Sequence, residues 1–165
     1  MSKTTVSFYV LSDNKAQDFL GFIAGLSQTA LNKSAQSLCI IIEDEQLLSA
    51  LDEALWSHTA SSFIPHQRLD LNDLDSQAQS LDNNAPPSDK LSAPVLLGSY
   101  IPANFTGIVI NTTARPVTTF INATYNAKVS RILEIIKPDT VSVKSGRDKY
   151  KQYKSLGYAL THFQV

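Results

Sequence analysis

The chain has 165 residues, of which 43% are hydrophobic and 18% charged, and a formal net charge of −1. That length suits one domain with a core of ordinary size, and the composition sits near globular averages. No apolar run approaches the roughly 20 residues that a bilayer span requires.

The amino terminus, Met-Ser-Lys-Thr-Thr-Val, enters a strand-like run at once and carries no basic-then-apolar leader, so a cytoplasmic location is expected. Val6 to Leu11 reads as the first strand. A polar break at Ser12-Asp13-Asn14 leads into Phe19, Phe22, Ile23, Leu26 and Ala30 at helical spacing. Leu38 to Ile42 is a continuous apolar run, as expected of a strand covered on both faces. It contains the single cysteine, Cys39, which fits a buried small hydrophobe better than a reactive thiol. One cysteine also rules out a disulfide framework or thiolate metal site within the chain.

Glu43-Asp44-Glu45 places acids where the dipole of a second helix favours them. That helix carries Leu47, Leu51, Ala54 and Leu55 on one stripe, with Trp56 about 180° from Leu47. Phe63-Ile64-Pro65-His66 is a short apolar stretch. Residues 69–89 then hold five aspartates, no basic residue and the break Ala85-Pro86-Pro87-Ser88, so a mobile acidic loop is expected over about 67–92. Pro94 to Gly98 and Gly107 to Asn111 read as buried strands. Arg131 to Ile136 reads as another, a helix through Val129 being the alternative. A basic helix follows Pro138 and stops at Gly157, and Tyr158 to Phe163 alternates like a last strand. Strands alternating with helices predict a single α/β, Rossmann-like domain over 1–165, with a mostly parallel sheet flanked by helices.

Charge is segregated along this chain. Six basic residues between Lys137 and Lys154 face only Asp139 and Asp148, a local charge of +4 that leaves −5 for the remainder. On a helix, Lys144, Arg147, Tyr150, Lys151 and Lys154 fall within about 120°, with Tyr153 and Leu156 on the neighbouring inward side. Cations around an aromatic ring suit a ligand with carboxylates or phosphates plus one apolar group, because Arg offers a fixed fork of donors. A solvated helix face is the plainer reading. Trp56, followed by Phe63, Pro65 and His66, has the makings of an apolar interface anchor. The alternative is a Trp56 folded back over the helix end.

Catalytic parts are missing. The first strand-to-helix turn has no glycine, and nothing matches a phosphate-binding loop or the three-glycine dinucleotide fingerprint. Gly21 and Gly25 inside the first helix read as sites of close packing. His58, His66 and His162 lie far apart without acids at metal-ligand spacing. Glu43, Asp44, Glu45, Asp52 and Glu53 have no accompanying nucleophile. No cofactor and no catalytic residue is expected.

Several blocks taken together resemble the chi subunit family of bacterial DNA polymerase III holoenzyme. They are Phe8-Tyr9-Val10-Leu11, Glu43-Asp44-Glu45, Leu51-Asp52-Glu53-Ala54-Leu55-Trp56, Ser62-Phe63-Ile64-Pro65-His66, and Arg147-Asp148-Lys149-Tyr150-Lys151-Gln152-Tyr153-Lys154 with Gly157-Tyr158. The acidic stretch is longer than the family pattern, and Ala114 to Lys128 departs from it. The resemblance implies a Rossmann-like domain without nucleotide-binding activity, and it implies two partners. One is the psi subunit, which tethers chi to the clamp loader. The other is the acidic carboxy-terminal tail of single-stranded DNA-binding protein. By position, Trp56, Phe63 and Pro65 match the psi-binding surface, for which a repair helicase competes. Arg147, Tyr150 and Lys151 match the tail-binding helix, with Lys144 and Lys154 adding longer-range attraction and Ile136 or Lys137 lining the pocket. Two other classes stay open at this point: a small α/β enzyme acting on a nucleotide or phosphate ester, and a protein that binds single-stranded DNA directly.

Overall fold

The computed structural model describes residues 4–33, 36–57, 66–69 and 94–165. Seven strands form one sheet in the order β3-β4-β2-β5-β6-β1-β7, and every pairing is parallel. They are β1 (Thr5–Val10), β2 (Ser37–Ile41), β3 (His66–Arg68), β4 (Val95–Gly98), β5 (Thr106–Asn111), β6 (Lys128–Ile136) and β7 (Ala159–Gln164). Among the described residues five helices cover it: α1 (Asp13–Gln17), α2 (Phe19–Lys33), α3 (Glu45–Ser57), α4 (Val117–Asn122) and α5 (Thr140–Ser155). The α/β, Rossmann-like reading is therefore the observed architecture.

Side-chain alternation sorts the core into two layers. Leu38 and Ile40 of β2 join Ile23, Leu51, Leu55, Val95, Leu97 and Ile110 beneath α2 and α3. Cys39 and Ile41 join Val6, Phe8, Val109, Ile132, Val117, Phe120 and Tyr153 beneath α4 and α5. Strands buried on both faces must be apolar at successive positions, which is why β2 and β4 read as unbroken runs. Burial pushes the Cys39 thiol up to about 12, so it stays protonated and packs as a hydrophobe.

Several sequence expectations change. The first helix is two: α1 stops at Gln17 and α2 starts at Phe19 around Asp18. A Cβ on Gly25 would meet open space, and one on Gly21 would meet the Asp18 carboxylate of the adjoining turn, so neither glycine brings a helix onto the sheet. Arg131 to Ile136 belongs to a nine-residue strand, not a helix. The short strand β3 and the six-residue α4 were not anticipated, because neither carries enough periodic apolar residues to register. Gln67 and Arg68, assigned by sequence to the start of the acidic loop, complete β3, and Leu69 is buried behind them. The rest of that loop, residues 70–93, lies outside the described residues. Leu156 was expected inward and is 58% exposed. It caps α5, where the chain turns away through Gly157 at φ 84°, a left-handed conformation that glycine adopts without strain.

Candidate functional site

Helix α5 starts where the sequence supplies a cap. The Asp139 carboxylate accepts from the Ser142 amide at 2.9 Å and the Ser142 hydroxyl at 2.8 Å, and these donors hold its carboxyl below the ordinary range. The helix then lies over β6, β1 and β7. The approach is close at Gly146, where a Cβ would sit 2.9 Å from the movable end of Ile136, its Cδ1.

The buried side of α5 carries a polar network. Lys149, 2% exposed, donates to Glu134 Oε1 at 2.7 Å and to the Thr113 carbonyl at 2.9 Å. The Tyr153 hydroxyl donates to Glu134 Oε2 at 2.5 Å and accepts from the Val117 amide at 2.7 Å, satisfying the start of α4. Asn111 Nδ2 donates to Glu134 Oε2 at 2.9 Å and to the Arg115 carbonyl at 2.7 Å. Burial pushes the Glu134 carboxyl above its usual range, against the opposing pull of Lys149, Tyr153 and Asn111. The same burial raises the Tyr153 phenol, followed by the neighbouring Glu134 charge, so it stays a donor.

The outward side of α5 forms one wall of a groove of about 340 Å³. Phe8 and Val10 of β1, Ile136 of β6 and Val143 of α5 make its apolar lining, and Arg147, Tyr150, Lys151 and His162 complete it. Three rings pack there, Phe8 and His162 stacked and Tyr150 tilted against both. Phe8 to His162 is 5.3 Å between centroids, Tyr150 to His162 is 5.1 Å, and Phe8 to Tyr150 is 5.7 Å. Arg147 and Lys151 are exposed and form no ion pair with any described residue. An apolar slot with fixed aromatic walls and two uncommitted cations can take an apolar group bearing a carboxylate, through packing below and charge-assisted hydrogen bonds above.

The structure thus brings together Arg147, Tyr150 and Lys151 among the candidates. Lys144 and Lys154 are exposed on the same helix and do not line the groove. Ile136, not Lys137, lines it; the Lys137 ammonium lies 4.3 Å from the centre of the Phe19 ring on the other side of the β6 end. Trp56 occupies the last turn of α3, but its side chain lies outside the described residues, as do Phe63 and Pro65. Beside that turn, His66 of β3 and the Asp52 carboxylate of α3 meet at 2.6 Å, with Arg68 at 3.9 Å. His162 and Glu134 were not singled out from sequence as site residues. A lone carboxylate inside Ile132-Leu133-Glu134-Ile135-Ile136 was the available signal for the network, since a buried charge demands a partner.

The family model described as DNA polymerase III chi subunit, HolC, matches residues 3–161. The chain belongs to the DNA polymerase III chi subunit family. The DNA polymerase III subunit chi of Pseudomonas aeruginosa is 28% identical to it over 158 residues, covering 95% of this chain and 94% of that one. As a chi-family member it is a subunit of the DNA replication machinery. Among solved structures, the chain resembles a variant of S. cerevisiae Dbp5 bound to Nup159, Gle1, IP6 and ADP, with a TM-score of 0.63 at 14% identity. That match covers 96% of this chain but 41% of Dbp5. The Dbp5 C-terminal domain bound to Gle1 and IP6 is similar at a TM-score of 0.61 and 13% identity, covering 98% of this chain and 90% of that domain. T4 UvsW is similar at 0.56 and 9% identity, over 99% of this chain and 41% of its own. At such identities the likeness carries the fold alone. No helix among the described residues is long and apolar enough to cross a membrane.

Proposed function

We propose that this chi-family chain is a non-catalytic accessory subunit that links the clamp loader, through psi, to the acidic carboxy-terminal tail of single-stranded DNA-binding protein. The observation that carries the reading is the groove under α5: an apolar floor with Arg147 and Lys151 unpaired among the described residues at its rim. The apolar last residue of the tail enters between Phe8, Val10, Ile136 and Tyr150. Its free carboxylate and the preceding acids pair with Arg147 and Lys151, while Lys144 and Lys154 add longer-range attraction. One apolar group and a few charge-assisted pairs at an exposed rim give a single tail micromolar strength, about −8 kcal/mol. Several tails on one coated strand raise the effective concentration. The psi surface in this reading is the end of α3 with Trp56, together with Phe63 and Pro65, and a repair helicase competes for it.

The test is calorimetry with the synthetic peptide Asp-Asp-Asp-Phe, once with a free carboxylate and once amidated. Binding of the first, weakened by amidation and by Arg147→Ala, is the expected result. Equal affinity for both peptides, or an Arg147→Ala variant that binds as tightly as the parent, overturns the groove reading. For psi, co-purification with and without Trp56→Ala gives the corresponding answer.

A further inference from the structure

The two edges of the sheet are built differently. β3 is three residues long and carries Arg68 beside Asp52, the short and charged kind of edge that resists strand addition. β7 is six residues, Ala159-Leu160-Thr161-His162-Phe163-Gln164, with no Lys, Arg, Asp, Glu, Pro or Gly, and Phe163 is 41% exposed. None of the usual blocks to pairing is present on it.

The orientation of its main chain follows from the hydrogen bonds at its end. The Val165 amide donates to the Val10 carbonyl at 3.1 Å, and the Val165 carbonyl accepts from the Ser12 amide at 2.8 Å. Successive residues of a strand turn their main-chain groups to opposite sides, so Phe163 and Thr161 face β1 in the same way. Leu160, His162 and Gln164 therefore turn N–H and C=O to the outer edge, where no described residue pairs with them. His162 joins this edge to the groove, since its ring stacks on Phe8 and packs against Tyr150 while its main chain stands at the open side.

We propose that β7 takes up, as an eighth strand, the residues that precede the anionic end of the peptide held under α5. The inference rests on the groove reading and extends it. A cavity of about 340 Å³ is at the small end of ligand sites and holds the end of a peptide, not its length. The chain leaving it passes His162 and meets an unpaired strand edge directly. Because β7 bears no charge, the added segment is recognised through its main chain, as in other cases of strand addition. An uncharged, extended stretch fits this edge.

Two free-carboxylate peptides separate the possibilities: Asp-Asp-Asp-Phe, and the same end preceded by Thr-Gln-Thr-Ser-Thr-Gln-Thr-Ser. The longer one should bind about three- to tenfold more tightly. N-methylation of alternate residues of its extension should abolish that gain in one register and spare it in the other. In amide exchange, Leu160, His162 and Gln164 should slow on binding the long peptide and not the short one. Equal affinities, or no added protection at those three amides, overturns the proposal while leaving the groove reading intact. Failure of the short peptide to bind overturns the groove reading first. Protection that rises with protein concentration and needs no peptide means a second copy occupies the edge, which also overturns it.

Discussion

At the β3 end of the sheet the described polar side chains meet one another: His66 and Arg68 converge on the Asp52 carboxylate. At the β7 end, Arg147 and Lys151 stand over an apolar groove with no acid among the described residues to pair with. The same contrast recurs within α5, where Lys149 is locked onto Glu134 two residues from Arg147. Net local charge is therefore a poor guide to binding. A cation is available to a guest only where the fold leaves it without an internal acid, and helical phase decides which cations those are.

The largest expected effect comes from breaking the inner pair. Lys149→Met leaves Glu134 buried without its cation, which should cost about 3–5 kcal/mol in urea unfolding. Lys149→Met combined with Glu134→Leu should recover only part of the loss: no charge is left to desolvate, but the Tyr153 hydroxyl and Asn111 Nδ2 lose their shared acceptor. Acid should also relieve the single variant. A carboxyl whose folded pKa is raised binds its proton more tightly in the native state, so stability rises as pH falls through the window between the folded value and the unfolded one, about 4.3. If Lys149→Met proves as stable as the parent at pH 7, the distinction between inner and outer cations fails.

Next in size is the outer pair. Arg147→Ala should change stability by less than about 0.5 kcal/mol, yet weaken binding of Asp-Asp-Asp-Phe by about 10- to 100-fold, the range of one charge-assisted hydrogen bond. Tyr150→Ala should weaken it comparably and also lower the melting temperature, since that ring packs on Phe8 and His162. The two measurements, unfolding and calorimetry, should rank Lys149 and Arg147 in opposite orders.

Much of this arrangement was legible in the chain. Apolar runs such as Leu38 to Ile42 announce strands buried on both faces, and the phase of Arg147, Tyr150 and Lys151 puts them on one side of a helix. What was not legible depends on long-range pairing. Lys149 looks like its neighbours until Glu134, fifteen residues earlier, is placed beneath it. His162 becomes part of the groove only because β7 lies in parallel beside β1, in register Phe8 with His162. β3, with His66, Gln67 and Arg68, has no apolar signature, and pairing with β4 alone makes it a strand.

A smaller effect tests the shape of the groove. Gly146→Ala would push against Ile136 Cδ1, a side-chain end that can shift and that also lines the groove. Alanine gains about 1 kcal/mol over glycine in a helix interior, offsetting the crowding, so stability should be nearly unchanged. Affinity for Asp-Asp-Asp-Phe should fall a few-fold as Ile136 moves into the slot. Unaltered affinity would mean that the end of the peptide does not reach Ile136.

The smallest effect concerns Asp139, an acid adjoining the cationic helix that lies outside the groove. Asn caps a helix about as well as Asp does, so Asp139→Asn removes the charge and keeps the cap. The folded pKa of Asp139 is depressed by the Ser142 donors. Its charge-dependent stabilisation is therefore present above the unfolded value, about 3.9, and is lost as pH falls through the lower folded value. The parent should melt slightly above Asp139→Asn at pH 7, and the two curves should meet in strong acid. Calorimetry at pH 7 should give the same peptide affinity for both, because Asp139 serves the backbone of α5 and not its guest. A melting gap that persists unchanged in acid would assign the difference to side-chain shape, whereas a changed affinity would bring Asp139 into the field of the groove and narrow the contrast between paired and unpaired charge.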